Sequence, residues 1–439
     1  MAPRMDLIPA TDRQPARTDV VVIGGGIAGV STAWHLAQRG IAVTLCEKGE
    51  VGAEQSGRNW GWTRVMGRDP REIPLAMESL RQWRRMDGMI GGETGFSQSG
   101  TLWLCETQAQ IDTYEAWLDK ARPYQLDSRM LTPEQIAEAL PGLTRRYKAA
   151  LYTPSDGRAE PTKAAPAIAL AARAAGATVL TQCAVRGVET TGGAISGVVT
   201  EHGRIACGAV VLAGGAWSRL FSGNMGIDLP QLKVMSSVFR TGPVPGGPDI
   251  SVGVRDFAFR KRTDGGYTIA KRNGSISEIT PDSFRLFSQF LPTMKTSYQE
   301  FRLHLGRQFL TELRTPRRWA LDAKTPFEAT RILDPEPNGG MIDHAKRSLI
   351  AAFPAFAGMQ EVERWAGLID VTPDAVPVIS GVDGVPGFYM ATGFSGHGFG
   401  IGPGAGRLMA DIVTGSAPVV DPEPYRLSRF TDGSWRQFV

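Results

Sequence analysis

The chain has 439 residues, a formal net charge of +4, 21% charged and 42% hydrophobic residues, which suits a globular protein of two domains with sizeable cores. Its basic excess is spread out, denser only over residues 302–324, and so gives no sign of a nucleic-acid partner. No apolar run reaches the roughly 18 residues of a bilayer span, so no transmembrane segment is expected. The four cysteines form no CxxC pair and sit near no histidine cluster, which points to packed, reduced thiols in a cytoplasmic protein and to no metal site.

The N-terminal stretch MAPRMDLIPATDRQPAR lacks an apolar core of signal-peptide length and reads as a mobile tail. Val20–Ile23 is a continuous apolar run, as in a buried parallel strand, and breaks into Gly24-x-Gly26-x-x-Gly29. A helical stretch with Ala33 and Leu36 on one face follows, then a second apolar run, residues 41–46, ending at Glu47, 18 residues after Gly29. The first glycine allows a tight turn, the second lets the backbone approach a pyrophosphate, and the third lets helix and strand pack closely. Phosphates would sit on the free N–H groups of the helix N-terminus, and Glu47 would accept from both hydroxyls of an adenosine ribose. A lone GxGxxG is a weak signal, but strand, loop, helix, strand and acid in register make a dinucleotide site the expected reading.

Further along, residues 51–62 are polar and Gly-rich, and residues 74–89 have helical periodicity. Thr101–Cys105 reads as a strand, and Thr132-Pro133-Glu134 as a helix start with Thr at the cap. Residues 161–175 form an Ala-rich helix closed by Gly176. Strands follow at Thr178–Leu180, 185–190 and 195–200, the last two as a meander. The strand at 210–213 runs into Gly214-Gly-Ala-Trp217, with small residues where the chain would pass the ligand. Residues 257–262 and 267–272 flank Thr263-Asp-Gly-Gly266 as a β-hairpin. Phe284, Phe287, Leu291, Phe301, Leu305, Phe309 and Leu313 have helical spacing and read as core or helix–helix packing. Phe388–Thr392 is a strand, followed by a loop with glycines at 393, 396, 398, 400 and 402 and a helix over 404–413.

The opening motif, Ser56-Gly-Arg-Asn59, the segment Ala213-Gly-Gly-Ala-Trp-Ser218, Trp365 to Thr372-Pro-Asp374 and the loop GFSGHGFGIGPGAG together resemble the D-amino-acid oxidase superfamily of FAD-dependent oxidoreductases. The likeness runs from about residue 19 to 415 and is greatest to the branch of sarcosine oxidase and γ-glutamylputrescine oxidase. It implies an α/β (α+β) fold: a Rossmann-like FAD-binding domain with a parallel sheet, and a substrate domain with a mixed or antiparallel sheet and outer helices. On this basis residues 18–105, 151–220 and 354–439 belong to the FAD domain, the last with a C-terminal tail. Residues 106–150 and 221–353 belong to the substrate domain. The resemblance also implies hydride transfer from an amine-bearing carbon to flavin N5, giving an imine that hydrolyses. Gly24, Gly26, Ile27, Ala28 and Gly29 would hold the pyrophosphate, with Glu47 and Lys48 at the ribose. Ser56, Gly57, Arg58, Asn59 and Trp60 would line the flavin, and Val185, Gly214 and Trp217 would border the dinucleotide. Gly396, His397, Gly398, Phe399 and Gly400 would face the pyrimidine end of the flavin, where negative charge develops on reduction.

Two departures from the family pattern bear on substrate. Sarcosine oxidase reads GFSGHGFK, its Lys clamping a carboxylate, where this chain has Gly400; glycine oxidase and D-amino-acid oxidase place an Arg where this chain has Ile369. A buried carboxylate without a cation costs several kcal/mol. Another cation therefore meets it, Arg64, Arg68 or Arg260, or the substrate has no α-carboxylate. His397 is a candidate catalytic or flavin-contacting group, although hydride transfer from a neutral amine needs no strong base. Trp60 and Trp62 could wall a substrate amine or pack in the core. Gly367 stands where the sarcosine oxidase branch attaches its flavin through a cysteine, so FAD is expected without a covalent bond. A lysine above the flavin serves oxygen in that branch, and the alignment puts Thr268 there, with Lys271 on the opposite strand face. A quinone or electron-transfer acceptor is therefore favoured over oxygen. Self-association through residues 284–345 is open. A FAD protein using the cofactor as scaffold or tRNA-modifying carrier, and a nicotinamide-dependent dehydrogenase, are the alternative functions.

Overall fold

Val20–Ile23 is the axis of a six-stranded sheet in the computed structural model, which describes residues 3–9, 13–297 and 301–438. It pairs in parallel with Val43–Cys46 on one side and Ala209–Leu212 on the other. Thr178–Leu180 and Phe388–Thr392 extend the parallel part, and Val378–Gly381 closes one edge antiparallel. Both faces are covered, which is why the central strands are apolar without alternation. Val20 and Val22 pack into the helical side, among Ile27–Ala37, Pro161–Ala174 and Gly398–Thr414. Val21 and Ile23 point the other way, against the meander Val185–Thr191, Ala194–Thr200 and Gly203–Ala206.

The second sheet has ten strands and is mixed. Its hub, Leu232–Thr241, pairs antiparallel with Glu361–Val371 along nearly its whole length and with Tyr267–Ala270. The expected hairpin is present: Ala258–Lys261 and Tyr267–Ala270 join through a turn in which Gly265 has φ +81°. Phe257, Phe259, Tyr267, Phe353 and Phe356 form the aromatic core under the helix Gly339–Ala352. Thr101–Cys105 and Glu361–Val371 both run in this sheet, so the two sheets exchange segments at places where the sequence boundaries put the nucleotide-binding unit.

Four expectations change. Residues 74–89 form two helices, Ile73–Trp83 and Met86–Ile90, broken at Arg84-Arg85. The helix expected at 404 begins at Gly398, because its glycines serve packing rather than a loop. A β-carbon on Gly402 would stand 2.7 Å from Ile27 Cγ2, and one on Gly406 2.4 Å from Ser31 Cβ. Of the apolar side chains expected as core or helix–helix packing over 284–313, Phe284 is 68% and Leu305 67% exposed and Phe287, Leu291 and Leu313 are also on the surface, while Phe284 and Phe309 meet edge to face at 6.5 Å between two short helices. The Phe301 side chain lies outside the described residues. The N-terminal segment is docked rather than free: the Asp6 amide donates to the Thr162 carbonyl, and Arg17 bridges to Ala206.

Candidate active site

Between the carboxyl ends of the parallel strands and the hub of the second sheet lies a cavity of ≈ 500 Å³, within the usual range of ~300–1,000 Å³ for small-molecule sites. One end is built by the turn after Val20–Ile23. Gly24 has φ +109°, and a β-carbon there would stand 2.5 Å from the Ala213 carbonyl oxygen. A β-carbon on Gly29 would stand 2.0 Å from the Gly24 oxygen, so Gly29 seats the helix on the turn and does not line the cavity itself. The first-turn N–H groups of Ile27–Ala37 have no acceptor within the helix. That of Ile27 is taken by Ser56 Oγ at 2.8 Å, which makes Ser56 a cap on this helix. Glu47 accepts from the Gly25 and Gly49 amides, each at 2.7 Å, and so closes the turn with the carboxylate facing the cavity. Lys48 is held by Glu54 at 2.7 Å and lies 4.6 Å over the Trp217 ring. Val185 and Gly214 also border this end.

The middle of the cavity is walled by residues 52–56 and 58–60 and by Gly367, Leu368 and Ile369 of the long strand. Asn59 shapes the wall: its Nδ2 donates to the Gln55 and Ser56 carbonyls while its Oδ1 accepts from the Gly61 amide. Arg58 is buried, donating to the Ala53 and Ala366 carbonyls and to Asp334, but its Nη2 has no partner among the described residues. Gly57 faces away, its hydrogen side against Met5. From the other side come Gly396, His397, Gly398, Phe399 and Gly400, at and within the start of the helix Gly398–Thr414.

The far end gathers cations and indoles. Arg64 and Arg68 lie on it, with Trp60, Trp62 and two residues that the sequence reading missed, Trp103 and Arg272. The Arg272 guanidinium sits 3.8 Å and that of Arg64 4.7 Å from the Trp103 ring. Trp60 and Trp62 meet edge to face at 5.3 Å. Burial, with Arg68 and Arg272 nearby, pulls the Arg64 pKa well below the ordinary arginine value, and burial lowers that of Arg68. His397 Nδ1 lies 3.1 Å from Glu72, yet burial and then the Arg68 charge lower its pKa, so the imidazole is neutral at pH 7. Trp103 lies in a fully buried strand and reads as core; Arg272 lies two residues past the strand Tyr267–Ala270, on the parity of Ala270, whose cross-strand partner Val238 also lines the cavity.

Arg260 is not among these cations. Its guanidinium is fully buried behind the 57–61 segment, paired with Glu160 at 2.6 and 3.0 Å and donating to the Trp60 carbonyl. Neither Thr268 nor Lys271 lines the cavity: Thr268 is buried with its hydroxyl accepting from Arg262 Nη1 at 3.3 Å.

The comparisons with known proteins agree with this geometry. The family DAO, FAD dependent oxidoreductase, matches residues 19–412. The structure of L-amino acid deaminase from Proteus myxofaciens in complex with anthranilate is similar at 37% identity and TM-score 0.94, covering 98% of this chain and 97% of that one. Glycine oxidase of Pseudomonas aeruginosa is 27% identical over 417 residues, covering 92% of this chain and 97% of that protein. Mitochondrial dimethylglycine dehydrogenase of Mus musculus is 24% identical over 420 residues, which is 94% of this chain but 45% of that protein. The chain thus spans less than half the length of that relative. The residues present fit a flavin dinucleotide: glycines leave the turn bare for a pyrophosphate, and the unpartnered Arg58 Nη2 is a donor that lacks an acceptor.

Proposed function

Because the chain belongs to the DAO family of FAD-dependent oxidoreductases, we propose that it oxidises the C–N bond of an amino or imino acid or a substituted amine. FAD, when bound, supplies a two-electron acceptor at the flavin ring. Gly24, Gly26 and the first turn of Ile27–Ala37 would hold its pyrophosphate, with Glu47 at the ribose, and Arg58 and Gly396–Gly400 would border the flavin. The protein contacts are non-covalent, since Gly367 presents no nucleophile.

The observation that carries this reading is the cation and indole wall that faces the glycine turn across one cavity. Arg64 and Arg68 meet a substrate carboxylate, for which a guanidinium offers a bidentate fork. The same positive charges disfavour an ammonium beside them, so the amine binds neutral and keeps the lone pair it needs for oxidation. Trp60 and Trp62 wall the amine and exclude water. Neutral His397, tethered to Glu72, packs the pyrimidine side without adding a further charge. Lys48 is the only lysine among the described lining residues, and it is engaged by Glu54 at the dinucleotide end. With no lysine beside the substrate wall, a quinone or electron-transfer partner is the acceptor in preference to oxygen.

Anaerobic mixing of the holoenzyme with amines, N-methyl amino acids, cyclic imino acids and D- and L-amino acids tests the proposal. At least one class should bleach the visible flavin band, and no bleaching by any of them refutes it.

A further inference from the structure

The far wall carries more positive charge than one carboxylate uses. Arg64, Arg68 and Arg272 all line it, and none of the three is in an ion pair among the described residues. Arg68, only 3% exposed, has a buried Nη1 with no hydrogen-bond acceptor among the described residues. Two carboxylates stand near Arg64 and Arg68 and offset part of their charge, and neither is near Arg272 in the same way. Glu72 is bonded to His397 at 3.1 Å, and Asp156 lies behind the wall, accepting from the Val65 amide at 2.7 Å. Arg272 lies against the Trp103 ring, which Arg64 also approaches, and that ring and the Tyr114 hydroxyl, 3.3 Å from Nη1, are its partners among the described residues. The wall therefore offers two stations, Arg64 with Arg68 and Arg272, that meet at the Trp103 ring. A single carboxylate satisfies the first and leaves the second a partly buried cation without a counter-charge.

We propose that the substrate is an amino or imino acid with a second anionic group, a carboxylate on its side chain or nitrogen substituent, and that Arg272 over Trp103 receives it. This rests on the reading of the site as an amine-oxidising one. The α-carboxylate occupies the Arg64–Arg68 station and the connecting methylenes lie along the Trp62 and Trp103 rings.

Two measurements on the FAD-loaded enzyme test it. Glutarate and pentanoate have the same chain length and differ in one carboxylate. Glutarate should bind at least tenfold more tightly by calorimetry and raise Tm where equimolar pentanoate does not. In flavin reduction, D- or L-glutamate or aspartate should exceed its uncharged amide in kcat/KM by at least tenfold. Arg272→Met should weaken glutarate binding at least tenfold more than pentanoate binding, and the flavin spectrum reports whether the variant is folded. Equal binding of the two acids, or equal reduction by the acid and its amide, overturns the proposal. If no amine of any charge reduces the flavin, the amine-oxidising reading fails, while the glutarate comparison still decides whether the wall is a double anion site.

Discussion

The backbone nitrogen of Arg64 lies 3.5 Å from where a β-carbon on Gly400 would stand. The same β-carbon would be 3.1 Å from the Trp62 carbonyl oxygen, so the 62–64 segment rests on the bare helix start. The Gly400 carbonyl is fastened from behind by Ser79 Oγ at 2.8 Å and Trp83 Nε1 at 2.9 Å. A side chain at 400 would therefore press on the backbone that delivers Arg64 to the cavity. Gly400→Ala should cost about 1–3 kcal/mol, the usual penalty of overpacking, and should raise KM because Arg64 is displaced. A thermal scan with steady-state kinetics checks it; an unchanged Tm and KM would show that the contact is slack.

Replacing Arg64 or Arg68 by Met should raise KM for a carboxylate substrate by roughly 10–100-fold, in line with about 1.5–3 kcal/mol for a hydrogen bond to a charged group. FAD content should stay near that of the native protein, because neither side chain forms the dinucleotide end. Arg260→Met should instead behave as a folding mutant, since it strands Glu160 without its guanidinium. Equal kinetic effects at all three positions would contradict the separation drawn here.

Gly29→Ala tests the cradle. Its methyl would meet the Gly24 oxygen at 2.0 Å, so the turn must open. The variant should be purified colourless or with sharply weakened FAD affinity, read by absorbance and fluorescence titration. Full FAD occupancy would mean that the turn does not contact the cofactor.

Acid precipitation checks the non-covalent attachment. The long strand bears Gly367 where an attached flavin needs a cysteine; of the four cysteines, Cys46 and Cys183 line the cavity, at its dinucleotide end. All yellow colour should pass to the supernatant, and colour in the pellet would identify a covalent bond.

Asp156 sets a pH dependence. Burial lifts its carboxyl from 3.8 to about 7, against the Val65 amide and the Arg64 charge that favour ionisation. The native state therefore binds the proton more tightly than the unfolded chain, and this group's contribution to stability falls as pH rises from about 4 to about 7. Asp156→Asn keeps an acceptor for the Val65 amide and removes the titration. The Tm of the variant relative to the native protein should climb across that window and level off above it. A constant difference from pH 4 to 8 would assign the carboxyl an ordinary pKa.

Stopped-flow mixing of the reduced enzyme with air-saturated buffer addresses the acceptor. Reoxidation should be slower than substrate turnover. A match between the two rates would make oxygen the acceptor, despite the lack of a lysine at the substrate wall.

The sequence alone determined the nucleotide-binding half: strand, glycine turn, helix, strand and Glu47 lie within 30 residues, and their roles follow from local backbone geometry. The strand Val20–Ile23 and the cradle glycines were legible for that reason. The hairpin, with its Gly265 turn, was legible on the same local grounds. At the far wall Arg64, Arg68, Trp60 and Trp62 were legible as candidates, but Trp103 and Arg272 were not. Trp103, Arg272, Arg64 and Arg68 are brought together from three separate segments, and whether an arginine faces a cavity or a buried glutamate depends on partners far along the chain. Arg260 and Arg272 lie on adjoining strands of one hairpin, or just past its end, yet one closes on Glu160, 100 residues away, and the other on Trp103. Glycine spacing at 398–406 likewise looks the same in a loop and in a packed helix, and only the helix it meets, Ile27–Ala37, tells them apart. Strand parity puts Arg272 on the face of Ala270, but what that face meets is a tertiary decision, because Val238, the cross-strand partner of Ala270, borders the cavity only once the two sheets are packed.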